Sequence, residues 1–157
     1  MAEVSLLAGL AISQTRTALC HAISYPLTAH FGVPHGLACA FTMPAVLRHN
    51  LTADDGRFRR LAAVLCPEGA ESNEELLDLF DMLNEKLQVA EQVREMVGSL
   101  NATIALRDEM FTPERADNAL ANVNCEVLAS IVKQAWGQIA GGAITAPSRI
   151  GGDVGIL

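Results

Sequence analysis

At 157 residues the chain suits one domain with a sizeable core. Half of its residues are apolar but only 4% are aromatic, so that core is built mainly from Leu, Ile, Val, Met and Ala. A net charge of −7 argues against binding a nucleic-acid backbone, and the apolar runs are too short to span a bilayer. An acid, Glu3, stands where a secretory leader needs positive charge. Cys20, Cys39, Cys66 and Cys125 are scattered with no Cys-x-x-Cys, so reduced, mostly buried thiols in a cytoplasmic protein are expected.

Charge is unevenly spread. Residues 1–53 contain only Glu3, Arg16 and Arg48, whereas residues 54–118 hold fifteen acids against seven bases. The first third therefore reads as enclosed and the middle as solvated amphipathic helices. Residues 119–157 balance to zero. The Gly-rich, aperiodic stretch 141–157 reads as a flexible or added tail, which leaves a helical domain over residues 1–140.

Helices are expected almost throughout. Residues 2–24 contain no Pro and are apolar all round, the pattern of a buried helix, with Tyr25-Pro26 ending it. Pro34-His35-Gly36 opens a second apolar helix, kinked at Pro44 and stopping near Asn50. Thr52 reads as the N-cap of a helix carrying Phe58, Leu61, Ala62 and Leu65. Ser72 and Glu75 form a capping box ahead of Leu76, Leu79, Phe80, Leu83 and Leu87 on one face. Thr112-Pro113 starts another helix, and Val127, Leu128, Ile131, Val132 and Ala135 mark the last. No run alternates with period two, so the fold class is all-α, a helical bundle.

Three of the four histidines, His21, His30 and His35, fall within fifteen residues of the least charged region. A buried imidazole needs a hydrogen-bond partner or a metal. A proline-bracketed turn can bring His21 and His35 face to face, yet the spacing matches no generic zinc signature. Taken alone, satisfied core histidines are the stronger reading. No Asp or Glu stands four residues before any histidine, so the chain offers two good ligands and further ones must come from distant acids, a second chain or another domain. His49 reads as a partner of a helix C-terminus, and His30 as an exposed or core-edge histidine. The cysteines read as small buried hydrophobes.

The stretch from Ser5-Leu6-Leu7-Ala8-Gly9-Leu10-Ala11 to about Leu51 resembles the C-terminal helical domain of the iron-dependent alcohol dehydrogenases. The likeness is strongest in His21-Ala22-Ile23-Ser24-Tyr25-Pro26-Leu27 and in Gly32-Val33-Pro34-His35-Gly36-Leu37-Ala38. It implies that His21 and His35 are metal ligands, since the family keeps one before the first Pro-Leu and another in the Pro-His-Gly turn. Where the family usually has a second histidine, this chain has Tyr25. That phenol either hydrogen-bonds a substrate oxygen as a catalytic residue or packs beside the site. The tyrosine variant is similar to members acting on phosphonate aldehydes.

The resemblance further implies a divalent metal, iron or zinc, and oxidation of an alcohol or reduction of an aldehyde with NAD or NADP. In the family an N-terminal α/β domain carries the Gly-rich cofactor loop and an Asp-x-x-x-His pair. Neither occurs here, and Gly141-Gly142 and Gly151-Gly152 follow no strand, so no residue is assigned to cofactor binding. The expected chain is thus the metal-binding half of such an enzyme, incomplete and inactive alone. Its expected associations are a homo-oligomer or a nucleotide-binding domain, with no nucleic acid and no membrane. The alternative is a non-catalytic helical module that assembles with a partner and binds metal weakly or not at all.

Overall fold

The computed structural model describes residues 2–66, 72–111 and 113–140, so the Gly-rich stretch and Thr112 lie outside the described residues. Among these residues every regular element is a helix and no strand occurs, as the sequence predicts. None of the helices is long and apolar enough to cross a membrane.

Residues 2–24 are not one helix. The structure has α1 (Ala2–Gln14) and α2 (Leu19–Phe31). Around the break, the Ser13 and Thr15 hydroxyls donate to the Leu10 and Ala11 carbonyls, side-chain bonds that compete with the helical ladder. Asn118 then holds the non-helical strip by donating to the Arg16 carbonyl at 2.8 Å. The expectation of burial fails for α1, which has no buried residue; Val4 and Leu6 are each 64% exposed. An all-round apolar pattern marks burial only where other elements pack on it.

Nor does Tyr25-Pro26 end the second helix. α2 runs through Pro26 to Phe31 and stops at Gly32, whose φ of +69° is cheap only for glycine. An interior proline costs about 3 kcal/mol. Burial of Ile23, Pro26 and Leu27 offsets that here. Residues 32–34 make the turn into α3 (His35–Leu51), which contains Pro44 and ends where the sequence predicts. Thr52 closes α3 instead of opening the next helix, its hydroxyl donating to the His49 carbonyl at 2.8 Å. Asp54 takes the capping role, accepting from the Phe58 amide at 3.1 Å, and α4 (Arg57–Leu65) follows.

Ser72 does sit at the N-terminus of α5 (Asn73–Lys86), although its side chain makes no capping bond. The buried face is Leu76 and Leu77, whereas Leu83 and Leu87 face outward. Three helices escape the sequence reading: α6 (Val89–Val97), α7 (Leu100–Ala105) and α8 (Arg107–Met110). α6 buries Val89, Val93 and Val97 at four-residue spacing. α9 (Pro113–Ala116) and α10 (Cys125–Ala140) begin near their predicted starts.

α3 is the hub, packing against α2, α5, α6 and α10. The main core joins Ile23, Leu27, Val33 and Phe41 to Val93, Leu128, Ile131 and Trp136. Phe41 and Trp136 meet edge to face with centroids 6.0 Å apart. α5 is fastened to α3 by the Arg48–Asp81 ion pair and by Asn84, which donates to the Ala40 carbonyl at 2.9 Å. Within the core, Trp136 Nε1 donates to Thr103 Oγ1 at 3.1 Å, both residues being buried. Thr103→Val keeps the shape but leaves the indole N–H unpaired. It should cost about 1–3 kcal/mol, read as a lower denaturant midpoint at constant slope; an unchanged midpoint contradicts the assignment.

Candidate metal centre

The hairpin of α2 and α3 positions the two predicted histidines. His21 occupies the first turn of α2, anchored from below by buried Ala22, Ile23 and Ser24, and His35 is the first residue of α3. Their ring centroids lie 5.1 Å apart at 63°. Tyr25, one turn after His21, stacks on His35 at 5.4 Å and is 45% exposed, so the site is open on that side.

Ser24, which sequence reasoning left unremarked, ties the two elements together. Its hydroxyl donates its single proton to the His21 carbonyl at 2.9 Å. Its oxygen, 3.1 Å from His35 Nδ1, therefore accepts from Nδ1–H. This selects the tautomer of His35 and leaves the Nε2 lone pair available. Nε2 lies 3.8 Å from Cys39 Sγ. The donor atoms of His21, His35 and Cys39 all fall within 4.8 Å of one another, the one such trio among the described residues. Two neutral imidazoles and a thiol suit a borderline divalent ion such as zinc or iron(II). Cys39 is buried, as the sequence reading expects of the cysteines, whereas Cys20 and Cys66 are half-buried and Cys125 is exposed. The signal for the place of Cys39 beside His35 was in the sequence: the two are four residues apart, hence on one helical face.

The remaining histidines stand elsewhere. His30 pairs with Glu109 at 2.8 Å on the surface, and His49 Nε2 donates to the Asn122 carbonyl at 3.0 Å near the C-terminus of α3. A groove of about 660 Å³ includes Arg48, His49, Ser130 and Gln134 in its lining. It lies at the other end of α3 from His35, roughly 20 Å away at 1.5 Å per residue, and is separate from the trio.

A family model described as "Fe-containing alcohol dehydrogenase family, C-terminal" matches residues 1–135. An NADPH-dependent butanol dehydrogenase of Clostridium saccharobutylicum is 33% identical over 93 residues, 57% of this chain and 24% of the relative. A 1-propanol dehydrogenase of Salmonella typhimurium is 33% identical over 112 residues, 69% of this chain and 28% of the relative. A phosphonoacetaldehyde reductase of Streptomyces viridochromogenes is 52% identical over 42 residues, 27% of this chain and 11% of the relative. The chain thus spans less than a third of the length of these relatives. No solved structure matches.

Beneath the histidines, burial pushes the Cys20 thiol up to about 12 from its ordinary 9.0, with the Thr42 hydroxyl opposing and Cys39 adding to the rise. Burial also raises Cys39. An unfolded chain releases the Cys20 proton near 9.0 while the folded chain keeps it to about 12. Above the lower value the folded state binds more protons, so this contribution to stability is full below it and is lost as pH rises toward the upper one. Denaturant midpoints should fall as pH rises from about 9 toward about 12, and less steeply in Cys20→Ala. Parallel declines in the two proteins contradict the assignment.

Proposed function

The chain belongs to the Fe-containing alcohol dehydrogenase family, and from that premise we propose that residues 1–140 supply the metal-binding half of an enzyme interconverting an alcohol and an aldehyde. One observation carries the reading: two imidazoles from separate helices approach to 5.1 Å at an open edge of the bundle. His21 and His35 would hold a divalent iron or zinc ion, which when bound supplies Lewis-acid chemistry at the substrate oxygen. Ser24 holds His35 in the tautomer that leaves the Nε2 lone pair available, on the side of Cys39. Tyr25, exposed beside His35, orients the substrate oxygen through its hydroxyl and holds a proton there.

Hydride transfer needs NAD or NADP, which this reading assigns to a partner nucleotide-binding domain. Among the described residues there is no strand for a phosphate-cradling glycine loop to follow, and the chain alone is read as inactive. The butanol and 1-propanol dehydrogenases and the phosphonoacetaldehyde reductase among the relatives support a small alcohol or aldehyde as substrate. Tyr25, standing where the family usually has a second histidine, is similar to members acting on phosphonate aldehydes, and the phosphonoacetaldehyde reductase among the relatives supports extending the proposal to that class. The exposed apolar residues of α1 are the natural place for the nucleotide-binding domain or a second copy to dock, since burying apolar surface yields roughly 25 cal/mol per Å². A cytoplasmic setting fits the free thiols.

Metal binding by chain purified without a histidine tag tests the site. His21→Ala and His35→Ala should each abolish binding of zinc or iron(II), read by calorimetry or metal analysis after dialysis. His49→Ala should leave it unchanged, because His49 is engaged with the Asn122 carbonyl at 3.0 Å. Damage from His49→Ala with binding intact in the other two would overturn the site.

A further inference from the structure

We propose that the groove between the last turn of α3 and α10 is a second binding site, one that takes a short-chain carboxylate with Arg48 as its anchor. The site stands apart from the metal-binding reading, since the groove lies at the far end of α3 from His35 and shares no residue with the trio.

Helical spacing sets the lining. Val127, Ser130, Ile131 and Gln134 recur every three or four residues, so one face of α10 forms one wall. Arg48 and His49, in the last turn of α3, form the other. At about 660 Å³ the groove falls in the size range of small-molecule sites. Buried Ile131 and half-buried Val127 give it apolar surface, while exposed Ser130 and Gln134 give it a polar edge. His49 is fixed in its wall by donating Nε2–H to the Asn122 carbonyl.

Charge decides the class of ligand. The chain carries 18 acids against 11 bases, yet the groove is lined by a guanidinium and an imidazole and by no carboxylate. Arg48 Nη2 is committed to Asp81 of α5, whereas Nη1 is packed away from solvent with no hydrogen-bond partner among the described residues. A buried N–H left without an acceptor is costly, and a carboxylate brings two oxygens that match the planar fork. The Arg48 side chain is 34% exposed, so the carboxylate meets it at its open edge and a small turn of the guanidinium brings Nη1 into the contact. The hydrocarbon tail then covers Val127 and Ile131. Inorganic phosphate has no such tail, and an alcohol of equal length has no charge. Asp81 offsets part of the Arg48 charge, which keeps the affinity modest.

The test titrates butyrate, inorganic phosphate and 1-butanol separately into the tag-free 157-residue chain, read by NMR at the methyl groups. Butyrate should shift the Val127 and Ile131 methyls saturably, with a Kd on the order of 1 mM, and leave the His21 and His35 rings in place. Phosphate and 1-butanol should each bind at least about tenfold more weakly, and Arg48→Gln should weaken butyrate by a similar factor. Because Arg48→Gln also removes the Asp81 pair, Ser130→Trp is the second variant: it fills the groove from an exposed position and should abolish the shifts. Absence of saturable shifts with butyrate, or shifts that persist in Ser130→Trp, would overturn the site. Binding of 1-butanol or phosphate as tight as that of butyrate would overturn the carboxylate assignment.

Discussion

The packing of α2 against α3 is the contact on which the site depends. Residues 32–34 reverse the chain within three positions, with Gly32 in a left-handed conformation and Val33 fully buried. Ile23 and Leu27 from one helix and Ala38 and Phe41 from the other then close the seam. Because the reversal is tight, residues fourteen apart in sequence become neighbours: His21 near the start of α2 and His35 at the start of α3. Ser24 adds a directional lock on top of this non-directional packing. Its hydroxyl donates to one histidine's backbone and accepts from the other's ring, which packing alone cannot dictate.

Charge segregation shapes what that geometry can do. The acids are concentrated in residues 54–118, while the hairpin region holds almost no charge. His30 pairs with a carboxylate, Glu109, on the surface away from the trio. The donor atoms gathered at the trio are ring nitrogens and a thiol sulfur, softer than the oxygen-rich sets that hold magnesium or calcium. The same scarcity of charge leaves α1 with apolar residues in solvent.

How much of this could be read from the sequence follows from which forces are local. Period and punctuation set α4, α5 and α10, and Pro34 announced the start of α3, because amphipathic spacing and caps act within a few residues. Pro26 misled because its local penalty is outweighed by the burial of Ile23 and Leu27, a tertiary quantity. The break after Gln14 was hidden for a related reason: it is stabilised from Asn118, far along the chain. Residues 89–110 fold into three short helices, below the length at which a hydrophobic stripe becomes distinct. At the site, residue type and flanking prolines mark His21 and His35 as candidates, and only the family resemblance makes them expected ligands and singles out Tyr25. His35 and Cys39 stand four residues apart on one helical face, a spacing that does not by itself separate metal donors from core packing. Ser24 carries no motif, and its role exists only once the turn has formed.

The central claim is that His21 and His35 offer ring nitrogens to one and the same ion. The most direct measurement is nitrogen NMR on the chain labelled at its histidine rings, with zinc added in steps. The resonances of His21 and His35 should shift together at the same metal-to-chain ratio, with His35 responding at Nε2 while Nδ1 stays protonated, and those of His30 and His49 should stay in place. Movement of His30 or His49 in their stead, or of one member of the pair without the other, would contradict the account.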